Sequence, residues 1–291
     1  AICIIRRDAH LPGLQLQGLK TLIGFGAFVS ATSLVWVAYS RLDAVIGGRF
    51  MSAAELGLYA VAMHLASLPM IKLMPLLNQV ALSGYSQVND DLVAMRHFLR
   101  KSMRIVALLV FPIFLGLAAV AVPFIDVVIG EAWLPAAIPL MLLCLSMPLR
   151  MIAQLYQPGV RALGRADIPF GDTVITLFLL LVLLLLLSRY GPVGLAAAWL
   201  VSTPLIFVIT HYRARKVLQL DFMPVLKDVM PPLVCAILMA TITAAFVWNT
   251  TSWPNWQQLP VAVAIGAAVY ITLTFTVMKG RAREALQLAG R

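Results

Sequence analysis

Eight stretches of the chain are dominated by apolar residues and almost free of charge: about 19–40, 56–82, 104–125, 134–157, 168–188, 192–212, 229–249 and 259–278. A bilayer core about 30 Å thick is crossed by about 20 helical residues, so each stretch predicts a transmembrane helix. Prolines interrupt three of them, at Pro112, Pro148 and Pro232. Membrane helices tolerate this because neighbouring groups can satisfy the freed carbonyls. The run Leu177–Leu187 is apolar on every side and is expected to face lipid. Gly26, Ser30, Ser33 and Ser40 form a small, weakly polar seam on the first helix, read as a close helix contact.

Polar residues inside these runs are costly and mark candidate function. On the fourth helix Arg150, Gln154, Gln157 and Arg161 recur at i, i+4, i+7 and i+11, which is one continuous helical face. Such a stripe fits a wet, anion-lining wall, with Arg150 near mid-depth and Arg161 at a cytoplasmic mouth; the plainer reading is two arginines serving structure alone. The second helix gathers His64, Ser67, Lys72, Asn78 and Gln79 within about 140° of one another, with Pro75 on the same face. Lys72 and Arg150 each lie about 17 residues from the outer helix end, so matched depth predicts a shared anion site. The acids Asp43, Glu55, Asp126, Asp167 and Asp172 fall at helix ends, in loops or within the first turn or so of a helix, rather than at helix centres.

Composition sharpens the picture. The chain is 62% hydrophobic and 12% charged with a mean hydropathy of +0.93, where a soluble domain carries about 25% charged residues. The net charge of +10 reads as membrane topology rather than nucleic-acid binding. Seventeen basic residues fall in alternate segments: Arg6, Arg7 and Lys20; Arg96, Arg100, Lys101 and Arg104; Arg161 and Arg165; Arg213, Arg215, Lys216 and Lys227; Lys279, Arg281, Arg283 and Arg291. Three, Arg41, Arg49 and Arg189, fall in the intervening segments. This asymmetry puts both termini in the cytoplasm. The cysteines, Cys3, Cys144 and Cys235, are odd in number and far apart, which argues against a disulfide framework. No nucleophile–base set, metal-ligand cluster or phosphate loop is present, so neither an enzyme nor a cofactor is expected.

Local patterns then resemble a known family. Ser40-Arg41-Leu42-Asp43-Ala44-Val45-Ile46-Gly47 through Leu56-Gly57-Leu58-Tyr59, the pair Leu68-Pro69, Gly130-Glu131-Ala132-Trp133-Leu134-Pro135-Ala136-Ala137 and Ala162-Leu163-Gly164-Arg165 resemble, in order and spacing, the Wzx-like polysaccharide flippases. These are the polysaccharide-transporter branch of the multidrug/oligosaccharidyl-lipid/polysaccharide exporters. Members have about fourteen helices, and this chain resembles the seventh to fourteenth. On that reading 1–18 is a cytoplasmic inter-bundle linker, 19–212 a six-helix bundle, 213–228 a basic cytoplasmic loop, 229–278 two additional helices and 279–291 a tail. The first bundle would come from a missing amino-terminal segment or a second chain.

The resemblance implies an all-α inner-membrane transporter that moves undecaprenyl-diphosphate-linked oligosaccharide from the inner to the outer leaflet. Its diphosphate is expected near Arg150, Lys72, Gln154, Gln157, His64 and Gln79. Arg161 and Arg165 would stand at the cytoplasmic mouth, and Arg41 and Asp43 form the outer helix-end motif. Three alternatives stay open: a cation-coupled drug antiporter of the same fold, a non-transporting subunit, and a membrane polysaccharide polymerase.

Overall fold

The computed structural model describes the backbone of residues 19–87 and 91–277 and the side chains of 23–73, 75 and 91–276. The linker expected at 1–18 and the tail at 279–291 lie outside the described residues. All regular structure described is helical: α1 (Leu19–Ser40), α2 (Leu42–Phe50), α3 (Ala53–Gln87), α4 (Leu92–Ala119), α5 (Ala121–Val128), α6 (Ala137–Gln154), α7 (Tyr156–Ala162), α8 (Asp167–Leu187), α9 (Gly191–Leu218), α10 (Phe222–Asn249) and α11 (Asn255–Val277). Short 3₁₀ turns at Glu131–Ala136 and Ser188–Tyr190 join two pairs of them.

Among the described residues seven continuous stretches are long and apolar enough to cross a membrane. The longest, Asp167–Leu218 with 52 residues, would be about 78 Å as one straight helix, more than twice a bilayer core. It is two helices: the chain turns at Ser188–Tyr190, with Gly191 at φ +66°, and α8 packs back on α9. Among the described residues eight helices are therefore long and apolar enough to cross, as the apolar runs predict. The reversal depends on Gly194, where a Cβ would overlap the carbonyl oxygen of Leu187. Backbone cannot yield as a side-chain tip can. Gly194→Ala is expected to cost about 1–3 kcal/mol and to lower the melting temperature in detergent, whereas Gly57→Ala, with nothing within 4 Å, leaves it unchanged.

Helix ends follow local chemistry that hydropathy does not register. Ser52 and Glu55 form a capping box: Glu55 accepts from the Ser52 backbone N–H at 2.9 Å, and Ser52 Oγ accepts from the Glu55 N–H at 3.3 Å. This starts α3 three residues before the apolar run. Asp91 accepts from the Val93 and Ala94 N–H groups, so α4 begins about a dozen residues ahead of its predicted span. The basic loop expected at 213–228 is helical except for Gln219–Asp221. Its lysines and arginines favour helix, and the break comes only where Gln219 adopts φ +48°.

Packing runs in the order α1–α8–α9–α6–α4–α10–α11, with α3 set against α6 and also touching α9 and α4. The two last helices are thus continuous with the bundle rather than a separate unit. The α4–α10 interface is anchored where Asp228, 2% exposed, accepts from Arg100 Nε at 2.7 Å with Arg104 at 3.8 Å. On α4, Pro112 has no N–H to offer the carbonyl of Leu108, and Tyr270 of α11 donates its hydroxyl to that carbonyl at 2.8 Å. Tyr270→Phe should cost about 1 kcal/mol, read as a lower melting temperature. Gln258 caps the end of α10 through the carbonyls of Val247 and Thr250 and the Thr250 hydroxyl.

Large apolar side chains cover the outside: Leu34 on α1, Phe178 and Leu186 on α8, Ile242 and Trp248 on α10, Phe275 on α11. Water would not tolerate such a surface; lipid requires it. Along Leu177–Leu187 the sequence is apolar all round, yet Leu180 and Leu184 are fully buried and only the other faces are exposed. The small seam on α1 does not make the close packing expected of it within this chain. Gly26, Ser30 and Ser33 are exposed and Gly26 has nothing within 4 Å, because α1 packs on α8, where Phe28 meets Phe170.

Candidate functional site

The polar stripe on the fourth crossing helix is where the site assembles. Pro158 cannot donate to the Gln154 carbonyl, and the helix is divided at Leu155 into α6 and α7. The break leaves Arg150, Gln154 and Gln157 on the wall of one hollow. Arg150 lies 13 positions into α6, roughly 20 Å from its start, deep within the span. It is half-buried.

Two adjoining hollows, of about 130 and 370 Å³, share Trp36, Arg150, Gln154 and Trp199 and form one groove among α1, α3, α6, α8 and α9. Its first part carries Tyr39, Gln157, Asp172, Thr173, Thr176, Thr203 and Thr210. Its second part carries Ser40, Asp43, Ser67, Met70, Ile71 and Pro75. Hydroxyls, amides and aromatic faces thus surround a single guanidinium. Arg150 lies over the Trp199 ring, 4.3 Å from its centroid, and donates a long hydrogen bond of 3.4 Å to the Tyr39 hydroxyl.

Four other arginines of the bundle have carboxylates. Arg100 and Arg104 meet Asp228, Arg165 grips Asp167 through two bonds of 2.9 Å, and Arg213 donates to Asp172 at 2.5 Å. Among the described residues Arg150 has no such partner. A guanidinium has five N–H donors, and a half-buried one without a carboxylate is an open position for an anion.

The sequence-derived candidates separate into groups. Arg150, Gln154 and Gln157 come together in the groove. Arg161 is half-buried one turn beyond, donating to the Gln157 side chain at 3.2 Å, and has no carboxylate partner among the described residues. Arg165 is exposed and bound to Asp167, whose hydrogen bonds raise its pKa above the ordinary arginine value. His64 and Lys72 are exposed on α3 and are not among the residues that line the two hollows. Lys72 follows Ile71, which does line the groove, and one residue is a 100° turn of the helix. Matched depth therefore does not bring Lys72 and Arg150 onto one wall. Gln79 and Asn78 lie in α3, but their side chains are outside the described residues. Arg41 is exposed ahead of α2.

Asp43 is a different matter. It stands at a helix end, as expected, yet it is buried and accepts from the Tyr59 hydroxyl at 2.7 Å, and that hydroxyl accepts from Trp199 Nε1–H at 3.0 Å. Asp172 is likewise buried, against Arg213. Sequence reasoning also passed over His211, which is fully buried among Tyr156, Phe207, Tyr212 and Phe222 and shares a 2.8 Å hydrogen bond with Tyr156. A polar residue on the inner face of α9 was the available sign. Among the described residues, no group of three or more histidines, cysteines or acids could hold a metal ion.

The fold and the groove define a multi-pass helical membrane protein with a cation at the centre of a polar cleft. The model of the polysaccharide biosynthesis protein family matches residues 2–138. The teichuronic acid biosynthesis protein TuaB of Bacillus subtilis (strain 168) is 27% identical over 89% of this chain and 54% of its own length. The lipopolysaccharide biosynthesis protein WzxC of Escherichia coli (strain K12) is 26% identical over 71% and 42%. In three dimensions the lipid II flippase MurJ, in its inward closed conformation, aligns with a TM-score of 0.71 and 16% identity, over 94% of this chain and 57% of that one. The chain's resemblance to the Wzx-like polysaccharide flippases therefore holds in sequence and in fold. The chain spans about half the length of these relatives.

Proposed function

We propose that this chain is the substrate-holding half of a flippase that carries diphosphate-linked oligosaccharide on a polyprenyl lipid from the inner to the outer leaflet. The observation that carries the reading is Arg150, half-buried in the groove without a carboxylate. A diphosphate bears about two negative charges, which guanidinium donors hold strongly where water is scarce. The threonines, Gln154 and Gln157 suit sugar hydroxyls, and the half-exposed Trp36 offers a flat apolar face to a sugar ring. TuaB and WzxC, by name, act in the biosynthesis of teichuronic acid and lipopolysaccharide, and MurJ, by name, is a flippase of lipid II.

In this reading the membrane is the bacterial inner membrane and both termini are cytoplasmic, in keeping with the basic ends of α7 and α9 and the basic starts of α4 and α10. The six-helix unit 19–212 and the pair 229–278 would work as one body. The uncovered small seam of α1 would face the complementary bundle, supplied by an amino-terminal segment or by a second chain.

The antiporter alternative gains something from the buried carboxylates Asp43 and Asp172, which line the groove. Both are bound to partners within the chain, however, whereas Arg150 has no carboxylate among the described residues. Complementation of a bacterium lacking its polysaccharide flippase tests the proposal. Restored surface polysaccharide, with less lipid-linked oligosaccharide retained inside, is the expected result. Drug resistance without glycan export would favour the antiporter.

A further inference from the structure

The side chains that hold Arg150 in place raise a question of electrostatics. A guanidinium inside a membrane needs a counter-charge, but a carboxylate in direct contact would occupy the donors a substrate needs. The Arg213–Asp172 pair shows that direct arrangement in the same bundle. At Arg150 the support is the face of Trp199, 4.3 Å from its centroid, with the Tyr39 hydroxyl at 3.4 Å. The indole N–H of Trp199 donates to Tyr59, and Tyr59 in turn donates to Asp43. Asp43, Tyr59 and Trp199 are 7%, 2% and 3% exposed, so the relay is nearly dry. It draws on α2, α3 and α9 to support a residue of α6.

We propose that Asp43 and Tyr59 are positioning residues for Arg150, acting through Trp199 as a relayed counter-charge. This rests on the reading that Arg150 receives the substrate's anion. A carboxylate polarises the hydroxyl that donates to it, and the hydroxyl oxygen then accepts more strongly from the indole N–H. Electron density shifts toward the ring and strengthens its hold on the cation above it. The same bonds fix the plane of the indole and so the height and direction of the guanidinium. The negative charge stabilises Arg150 from two hydrogen bonds away and leaves its N–H donors open to the groove. The outer helix-end motif is thereby joined to the substrate cation, a link that nothing in the spacing of residues 43, 59, 150 and 199 reveals.

The test is a double-mutant cycle on the purified chain in detergent, with farnesyl diphosphate as the probe. Tyr59→Phe deletes one oxygen, Asp43→Asn keeps the shape but removes the charge, and Trp199→Phe keeps an aromatic face without the N–H. Each is expected to weaken binding about 5- to 10-fold, within the range of a cation–π contact and one charged hydrogen bond. None should weaken it further in an Arg150→Gln background. Loss of binding that persists in that background would mark the three as merely structural and overturn the proposal. Wild-type affinity in all three, with Arg150→Gln still defective, would overturn the relay and leave the anion site standing. Wild-type affinity in Arg150→Gln would remove the anion site itself. Should one variant fail to fold, the other two carry the cycle.

Discussion

Arg150→Gln is expected to cut glycan export severely while the protein still inserts and folds. The substitution keeps length and some hydrogen-bonding capacity but deletes the charge. No carboxylate is stranded, because Arg150 has no acidic partner among the described residues, so the stability cost should be small. The functional cost should be large: truncating one member of a buried, hydrogen-bonded charge pair costs about 2–5 kcal/mol, or roughly 30- to 4,000-fold. Partial exposure of Arg150 argues for the lower half of that range. Arg150→Lys keeps the charge but loses the planar fork and its stacking on Trp199, and should retain about a tenth of wild-type export. Surface polysaccharide against membrane abundance of each variant is the measurement. Lys72→Gln, on the exposed face of α3, should export normally.

The second large effect is on folding. Asp228→Ala leaves Arg104, mostly buried, and Arg100, about a third exposed, facing one another without their shared carboxylate. Breaking a buried ion pair from one side costs about 3–5 kcal/mol. Solvent reaching Arg100 screens part of this, so roughly 3 kcal/mol is expected. This carboxylate fastens α10 to α4, the two helices that join the terminal pair to the rest of the bundle. The variant should show a much lower melting temperature in detergent and reduced membrane abundance. The triple change Asp228→Leu, Arg100→Leu, Arg104→Leu removes the two like charges as well and should recover much of the stability. A melting temperature equal to wild type in Asp228→Ala would show that this ion pair contributes little.

Much of the fold was legible because lipid imposes a length rule and a charge rule. Eight apolar runs match eight helices long enough to cross, including α8 and α9, whose tight reversal leaves only Ser188–Tyr190 between them. What hydropathy could not read were the helix ends, which depend on single side chains such as Ser52, Asp91 and Gln219. Nor could it choose a buried face in a uniform run: Leu180 and Leu184 look like their neighbours until α9 is in place.

For the site, the spacing of Arg150, Gln154 and Gln157 sufficed, because three residues on one short helix share a face whatever surrounds it. Between helices the same reasoning failed. Lys72 has the right depth, but which way it faces depends on how α3 is rotated against α6, and depth carries no information about rotation. Asp43, Tyr59 and Trp199 lie on three elements and come together only through tertiary packing. Their separations in sequence give no sign that one hydrogen-bond chain runs through them.

The most direct test of the account is equilibrium binding of farnesyl diphosphate to the purified wild-type chain and to Arg150→Gln, by titration calorimetry in detergent. Binding to the wild type should be measurable and the affinity at least 30-fold lower in the variant, with uncharged farnesol indifferent to the change. Equal affinity for the diphosphate in the two proteins would contradict it.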